Sequence, residues 1–484
     1  MTSVLLPDIP TGVRIGTHVQ NLTETFSVVD PATEKELARV SDAGSKEWMH
    51  ALDLADKAFA EWSAWPSRKR SQVLYEIFHA IEERRDDFAR TMTLEMGKPC
   101  AEAQGEVSYG NEYFRWFAEE SVRVQGRFSP APSGNGHILT MHTPVGPVLA
   151  ITPWNFPLAM ATRKIAPALA AGCPVIVKPA AETPLTLLFL GSVISEVLER
   201  HDAPDGVFSV IPTTRAATLS QELMADARLR KVTFTGSTPV GKTLVRQSAD
   251  TLQRTSMELG GNAPFVVHKD ADLDLVVSCA LQAKMRNGGE ACIAANRFLV
   301  HEDIAEEFTR RLVALMEGFV LGHGLEQSTT LGPMITEQQR DRIAELVADA
   351  VSDGAQIQCG GMVPDGPGYF YPATVLTQVD PDSRIIHEEI FGPVATITVF
   401  SDLAEAISLA NQTQFGLAAY GFSENVHTAQ RLAAELNAGM VGINRGAISD
   451  PAAPFGGVKE SGFGREGGVE GIFEYLDIRY VAWQ

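Results

Sequence analysis

One cysteine, Cys292, stands in "RNGGEACIAANR" (residues 286–297), a polar, glycine-marked turn where no second cysteine, histidine pair or apolar run explains it. A nucleophilic thiol needs thiolate character, access and a place for the oxyanion it creates. The segment offers Gly288 and Gly289 for close backbone approach, and Arg286 and Arg297 for positive potential. An isolated cysteine is also commonly a small buried hydrophobe. The segment by itself leaves both readings open.

Two further stretches carry phosphate-binding patterns. "GSTPVGKT" (236–243) satisfies the Walker A spacing, follows the strand-like "KVTFT" and opens a helix. In an NTPase, Lys242 would meet the γ-phosphate and Thr243 magnesium, with Asp402 of "ITVFSD" as a loose acidic partner for the metal. The same glycine-bounded helix start can face a dinucleotide pyrophosphate without hydrolysing anything. "GFGREG" (462–467) satisfies G-x-G-x-x-G, yet no strand precedes it and too little chain follows for a βαβ unit, so it reads as a flexible loop. No metal site is expected, because the histidines are scattered and "HEEIF" at 387 lacks a second ligand.

The elements that must hold these residues follow from patterning. "SRKRSQVLYEIFHAIEERRDDFART" places Val73, Leu74, Ile77, Phe78, Ile81 and Phe88 on one helical stripe. From residue 147, short apolar runs ("PVLAIT", "PVIVKP", "GVFSVI", "KVTFTG") alternate with helical patterns, as buried parallel strands joined by helices do. Residues 147 to about 258 therefore read as a doubly wound nucleotide-binding unit. Thr183-Pro184 supplies an N-cap and a first-turn proline for "LTLLFLGSVISEVLER". A second α/β region follows, with Thr336 and Gln339 in capping-box spacing and "GPVATITVF" as a strand. The closing "YLDIRYVAW" has period two and would leave an open sheet edge, which suggests docking on another subunit beside "GHILTMHTP".

The 484 residues, 45% hydrophobic and 21% charged, suit two or three domains. A net charge of −20 argues against a nucleic-acid partner, since phosphate binding needs a basic footprint. The most apolar stretch, "IAPALAAGCPVIV", is interrupted by Pro167, Gly172 and Pro174 and does not span a bilayer, and the N-terminus lacks a secretory signal. Five cysteines at unpatterned spacings suit reduced thiols. A cytoplasmic protein is expected.

Six blocks bear directly on Cys292: "TPWNFP" at 152, "FTGS" at 234, "MELGGN" at 257, "GGEACIAANR" at 288, "EEIFGPV" at 388 and "PFGGVKESGFGREGG" at 454. In this order and spacing the chain resembles the aldehyde dehydrogenase family over almost its whole length. The resemblance implies two doubly wound α/β domains, cofactor-binding (1–122 and 145–258) and catalytic (259–445). It also implies a β-hairpin oligomerisation arm (123–144 and 470–484), a substrate loop and linker (446–469), and a homodimer or homotetramer. Cys292 matches the nucleophile, and Asn155 the amide that shares the oxyanion with the Cys292 backbone N–H; a helix cap is its plainer role. Hydride then leaves for a nicotinamide, and Glu258 matches the base that activates water against the thioester. Gly260 and Gly261 let backbone approach that site.

The same resemblance makes the cofactor a nicotinamide dinucleotide, with Thr152, Pro153, Trp154, Gly236, Ser237, Gly241, Leu259, Glu389 and Phe391 around it. Glu389 matches the residue on the nicotinamide ribose, and Lys178 the lysine at the adenosine ribose. NAD-dependent members often place a glutamate where this chain has Ala181; alanine leaves room for a 2′-phosphate, so NADP is expected, with NAD the weaker alternative unless Glu182 points inward. Within the family the likeness is greatest to succinate-semialdehyde dehydrogenases, which implies that Arg163, Arg286 and Ser449 hold the substrate's distal carboxylate. Arg445, in the substrate-loop region, leaves glutarate semialdehyde or another ω-oxo acid open. Ala294 replaces the cysteine with which many relatives form a redox-sensitive disulfide.

Overall fold

The computed structural model describes residues 8–484. Eight strands form a first sheet in the order Gly462–Phe463, Arg254–Glu258, Lys231–Thr235, Val148–Ile151, Val175–Lys178, Phe208–Val210, Val13–Ile15 and His18–Gln20. The five strands between 148 and 258 run parallel; the first four are buried along their whole length, whereas Arg254–Glu258 is largely polar and exposed at its start. After Val148–Ile151 the chain builds outward through Val175–Lys178 and Phe208–Val210, then returns to Lys231–Thr235 on the other side of its starting strand. The crevice at such a reversal, beyond the carboxyl ends of the strands, is where open α/β sheets bind ligands. Here it is lined by Pro153 to Asn155 after one strand and Gly236-Ser237 after the other.

A second sheet of seven strands has the order Gln356–Cys359, Thr374–Thr377, Val394–Phe400, Ala295–His301, Ala263–Val267, Ala418–Phe422 and Met440–Ile443. Its parallel strands begin where the first sheet ends: Glu258 closes Arg254–Glu258, and after four intervening residues Ala263–Val267 starts. Cys292 lies three residues before the start of Ala295–His301, so the amino ends of the second sheet face the carboxyl ends of the first.

The closing strand Leu476–Trp483 pairs antiparallel with His137–Pro144 of the same chain over eight residues, and Arg127–Pro130 completes this third sheet. Leu476–Trp483 thus pairs beside the expected segment within its own chain, and as the outer strand of this sheet it keeps one edge unpaired among the described residues. The apolar stripe from Val73 to Phe88 is divided between two helices, Ser67–Glu82 and Arg85–Met96, because the chain turns at Glu83–Arg84. "GFGREG" is not a loose loop: Gly462–Phe463 pairs with Met257 and Glu258, and Glu466 is buried. A short edge strand of two residues leaves no periodicity to read.

Helix starts depart from local signals in an informative way. Thr183 does not cap Leu185–Arg200; the Leu185 and Thr186 amides donate to Glu95, from the helix Arg85–Met96. Thr336 does accept from the Gln339 amide, but the Gln339 side chain donates to the Phe391 carbonyl at 2.9 Å instead of reaching back to its own helix. Among the described residues, no helix is long and apolar enough to cross a membrane.

Candidate active site

The loop before Cys292 is built on left-handed backbone. Asn287, Gly288 and Gly289 have φ of 55°, 61° and 79°, tolerable for asparagine and free for glycine. A Cβ on Gly289 would lie 2.2 Å from the Gly392 carbonyl oxygen, and one on Gly261 would lie 2.2 Å from that of Cys292. Glycine at these two positions lets three segments close around one sulfur atom.

That sulfur opens into a cavity of about 180 Å³, which Pro153, Trp154 and Asn155, Gly236 and Ser237, Leu259, Glu389 and Phe391 also line. Trp154 and Phe391 meet edge to face at 5.3 Å. The cavity continues, through shared Ser237 and Glu389, into a cleft of about 760 Å³ over the start of the helix Thr238–Ser248. Four residues expected at the cofactor, Thr152, Lys178, Ala181 and Gly241, do not line this surface. Thr152 bonds to the Lys178 carbonyl through its amide, and Gly241 makes room for Leu259, whose Cδ2 would be 2.4 Å from a Cβ there. Gln339, Arg342, Met160 and Thr235 line the cavity and were not expected. The capping-box signal at Gln339 concealed its reach toward Phe391.

Asn155 is buried, and its Nδ2 donates to the Glu290 carbonyl at 2.9 Å, leaving its second hydrogen for the cavity. It caps no helix: the next one, Ala159–Ala171, has Glu106 Oε1 on the Leu158 and Ala159 amides. Glu258 is buried with both carboxylate oxygens unbonded among the described residues. Burial, with the nearby Glu466 charge, holds its pKa well above the ordinary carboxylate range, while Arg163 and Lys164 draw it down.

The charge reaching Cys292 is not the one expected. Arg297 is buried and spends its guanidinium on the carbonyls of Asn262, Leu409 and Ala410. Arg286 lies over the rings of Tyr109 (5.2 Å) and Phe156 (5.0 Å). The cation that draws the thiol's pKa down is Arg163; burial and the carboxylates of Glu389 and Glu258 outweigh it and push the thiol up to about 12. At rest the thiol is therefore protonated. Alkylation of Cys292 by iodoacetamide in the free protein should accelerate about tenfold per pH unit from neutrality upward, with no plateau in the mildly alkaline range, because only the thiolate reacts. A plateau near neutrality, followed by mass spectrometry of the Cys292 peptide, would contradict it.

Arg163 is fully buried beside Glu466, which also pairs with Lys164. Its guanidinium lies 4.3 Å from the Phe455 ring, and Nη1 and Nη2 have no hydrogen-bond partner among the described residues. Ser449 is half-buried in the loop leading to Phe455. No hydrogen bond joins it to Arg163 or Arg286 among the described residues. At the cofactor side, burial lifts Glu389 to about 7 although its Oε1 accepts from the Gly261 amide at 3.0 Å. Lys178 is buried with its pKa lowered, Ala181 is half-buried and Glu182 is exposed, though its charge still reaches Lys178.

The Walker A reading fails on geometry. Lys242 pairs with Glu460 at 2.7 Å, the Thr243 hydroxyl donates to the Pro239 carbonyl, and Asp402 caps the helix Leu403–Asn411. Only Gly236 and Ser237 separate the strand from the helix, too short a loop to wrap a phosphate.

The sequence profile of the aldehyde dehydrogenase family matches residues 18–481. A succinate-semialdehyde dehydrogenase of Paenarthrobacter nicotinovorans is 51% identical over 92% of this chain and 98% of its own. A 3-sulfolactaldehyde dehydrogenase of Pseudomonas putida is 46% identical over 95% and 93%. The crystal structure of a succinate-semialdehyde dehydrogenase from Burkholderia pseudomallei superposes with a TM-score of 0.95 at 43% identity, over 98% of both chains.

Proposed function

The chain belongs to the aldehyde dehydrogenase family, and from that premise we propose that it oxidises succinate semialdehyde to succinate with NADP as coenzyme. The observation that carries the substrate is Arg163, the buried cation whose charge reaches the thiol, together with Arg286 in the loop before Cys292. Arg286 and Arg163 rest on aromatic faces rather than bonding fully to carboxylates, and the Nη1 and Nη2 of Arg163 are buried without partners. A buried guanidinium with open donors is a recognition site for a planar anion. Ser449, in the loop before Phe455, is the third group proposed for the carboxylate.

The residues fit a nicotinamide dinucleotide. The helix Thr238–Ser248 starts with no side-chain cap, so its first amides are free to face a pyrophosphate, and Glu389 can accept from a ribose diol. The coenzyme, when bound, accepts hydride from the substrate carbon. Cys292 attacks the aldehyde carbon after losing its proton, and Asn155 Nδ2 with the Cys292 amide holds the resulting oxyanion. Once the thioester has formed, Glu258 takes a proton from water, which attacks the carbonyl and releases the acid. Both Cys292 and Glu258 act deprotonated and both are shifted upward, so turnover falls as pH drops below neutrality. The exposed Phe128, Ile478, Tyr480 and Trp483 on the third sheet suit a homodimer or homotetramer. The five cysteines, all free, suit the cytoplasm.

Reduced-coenzyme absorbance with succinate semialdehyde, compared between NADP and NAD, tests the proposal. NADP is expected to give the higher kcat/KM. Ala181→Glu should lower kcat/KM for NADP by about tenfold or more while sparing NAD, since a carboxylate there would repel the 2′-phosphate. An equal loss with both coenzymes would remove the assignment of residue 181.

A further inference from the structure

Behind the cavity, one helix touches both halves of the oxyanion site. The helix Cys100–Glu120 sends Glu102 to the backbone amide of Asn287 in the cysteine loop, and one turn later sends Glu106 to the segment that carries Asn155. Glu106 accepts from the Leu158 and Ala159 amides through Oε1 and from Lys98 Nζ through Oε2. Lys98 also donates to the Asn155 carbonyl at 2.8 Å and lies over the Phe156 ring. The same carbonyl accepts from Asn287 Nδ2 at 2.9 Å, and Asn287 Nδ2 and Asn155 Nδ2 both donate to the Glu290 carbonyl, at 3.2 and 2.9 Å. Lys98, Glu106, Asn155, Asn287 and Glu290 are all at least 97% buried.

We propose that Lys98, Glu106 and Asn287 are positioning residues that fix the distance between the Asn155 side-chain amide and the Cys292 sulfur, with the helix Cys100–Glu120 as the common reference. The inference rests on the thiol mechanism proposed above. Two observations argue against plain core packing. Lys98 and Glu106 are a charge pair almost sealed from water, costly to bury and retained where each bonds backbone of the Asn155 segment. Asn287 adopts a left-handed conformation that a glycine would occupy without cost, yet it is the residue whose side chain bonds Asn155. Displacing an oxyanion donor by about 1 Å is enough to cost on the order of 100-fold in rate.

The test separates chemistry that makes an oxyanion from chemistry that does not. Asn287→Gly keeps the backbone conformation and removes only the side-chain bonds; Lys98→Met keeps the volume and removes the charge. Both are assayed as full-length enzyme for aldehyde oxidation, for hydrolysis of p-nitrophenyl acetate, and for alkylation of Cys292 by iodoacetamide, a displacement at saturated carbon with no oxyanion. Asn287→Gly should lower kcat for oxidation and ester hydrolysis together, by about 10-fold to 100-fold. Alkylation rate and the KM for NADP should remain within about twofold. Unchanged oxidation and ester hydrolysis would overturn the proposal, as would a matching loss of alkylation, which would mean that the pocket had collapsed. Lys98→Met is expected to show the same split; if it does not fold, Asn287→Gly decides alone. A wild-type enzyme inert toward aldehyde with either coenzyme would instead remove the underlying mechanism.

Discussion

Cys292→Ala lowers coenzyme reduction with succinate semialdehyde by a factor on the order of 10⁶, which is below detection, while the melting temperature stays close to that of the wild type. Removal of a covalent nucleophile is not compensated by the donors that remain, because Asn155 and the backbone amide stabilise charge on a tetrahedral adduct that no longer forms. The substitution is mild for the fold. The Cys292 side chain is half-buried at a cavity wall, and alanine replaces it without steric conflict. Loss of signal is thus assignable to chemistry, and intact-mass measurement during turnover should show an acyl adduct on the wild type alone. Undiminished coenzyme reduction in the variant would end the thiol mechanism.

Arg163→Ala and Arg286→Ala should each raise KM for succinate semialdehyde by about 100-fold or more and leave KM for butanal within a few-fold. Breaking a buried charge pair costs on the order of 3–5 kcal/mol, and the substrate carboxylate loses its partner in the same way. The two variants are not equivalent. Arg163 is sealed beside Glu466 and Phe455, so its removal leaves Glu466 with Lys164 alone and should also lower the melting temperature. Arg286 is only partly buried on Tyr109 and Phe156, and its removal should act on KM with little effect on stability. Equal effects on the charged and the neutral aldehyde would sink the carboxylate assignment, and butanal then becomes the better guide to substrate class.

Much of the architecture was legible in the chain. The apolar runs at 148, 175, 208 and 231 became parallel strands because an all-buried strand announces itself by hydrophobicity alone. The residue types of the site were legible too: Cys292 and most of the expected cofactor residues line one cavity. The misses have a common cause. Thr183 beside Pro184 is a good local cap, but the carboxylate that serves those amides comes from Glu95, about ninety residues earlier. Arg297 is one residue nearer to Cys292 in sequence than Arg286, but its strand turns it toward the carbonyls of the next layer. "GFGREG" shows no period because Glu466 is held there by Lys164, 302 residues away, and not by its neighbours.

The sequence by itself determined which groups exist and on which kind of element each sits: a thiol in a glycine turn, a carboxylate at a strand end, an asparagine in a loop, two arginines. Only the tertiary structure decided which charges meet. Arg163, Lys164, Glu258 and Glu466 are drawn into one buried cluster, and Lys98 is drawn to Glu106 and Asn155. The reason is electrostatic. A charge removed from water must find a partner or lose its proton, and it does so through space, where separation along the chain carries no weight.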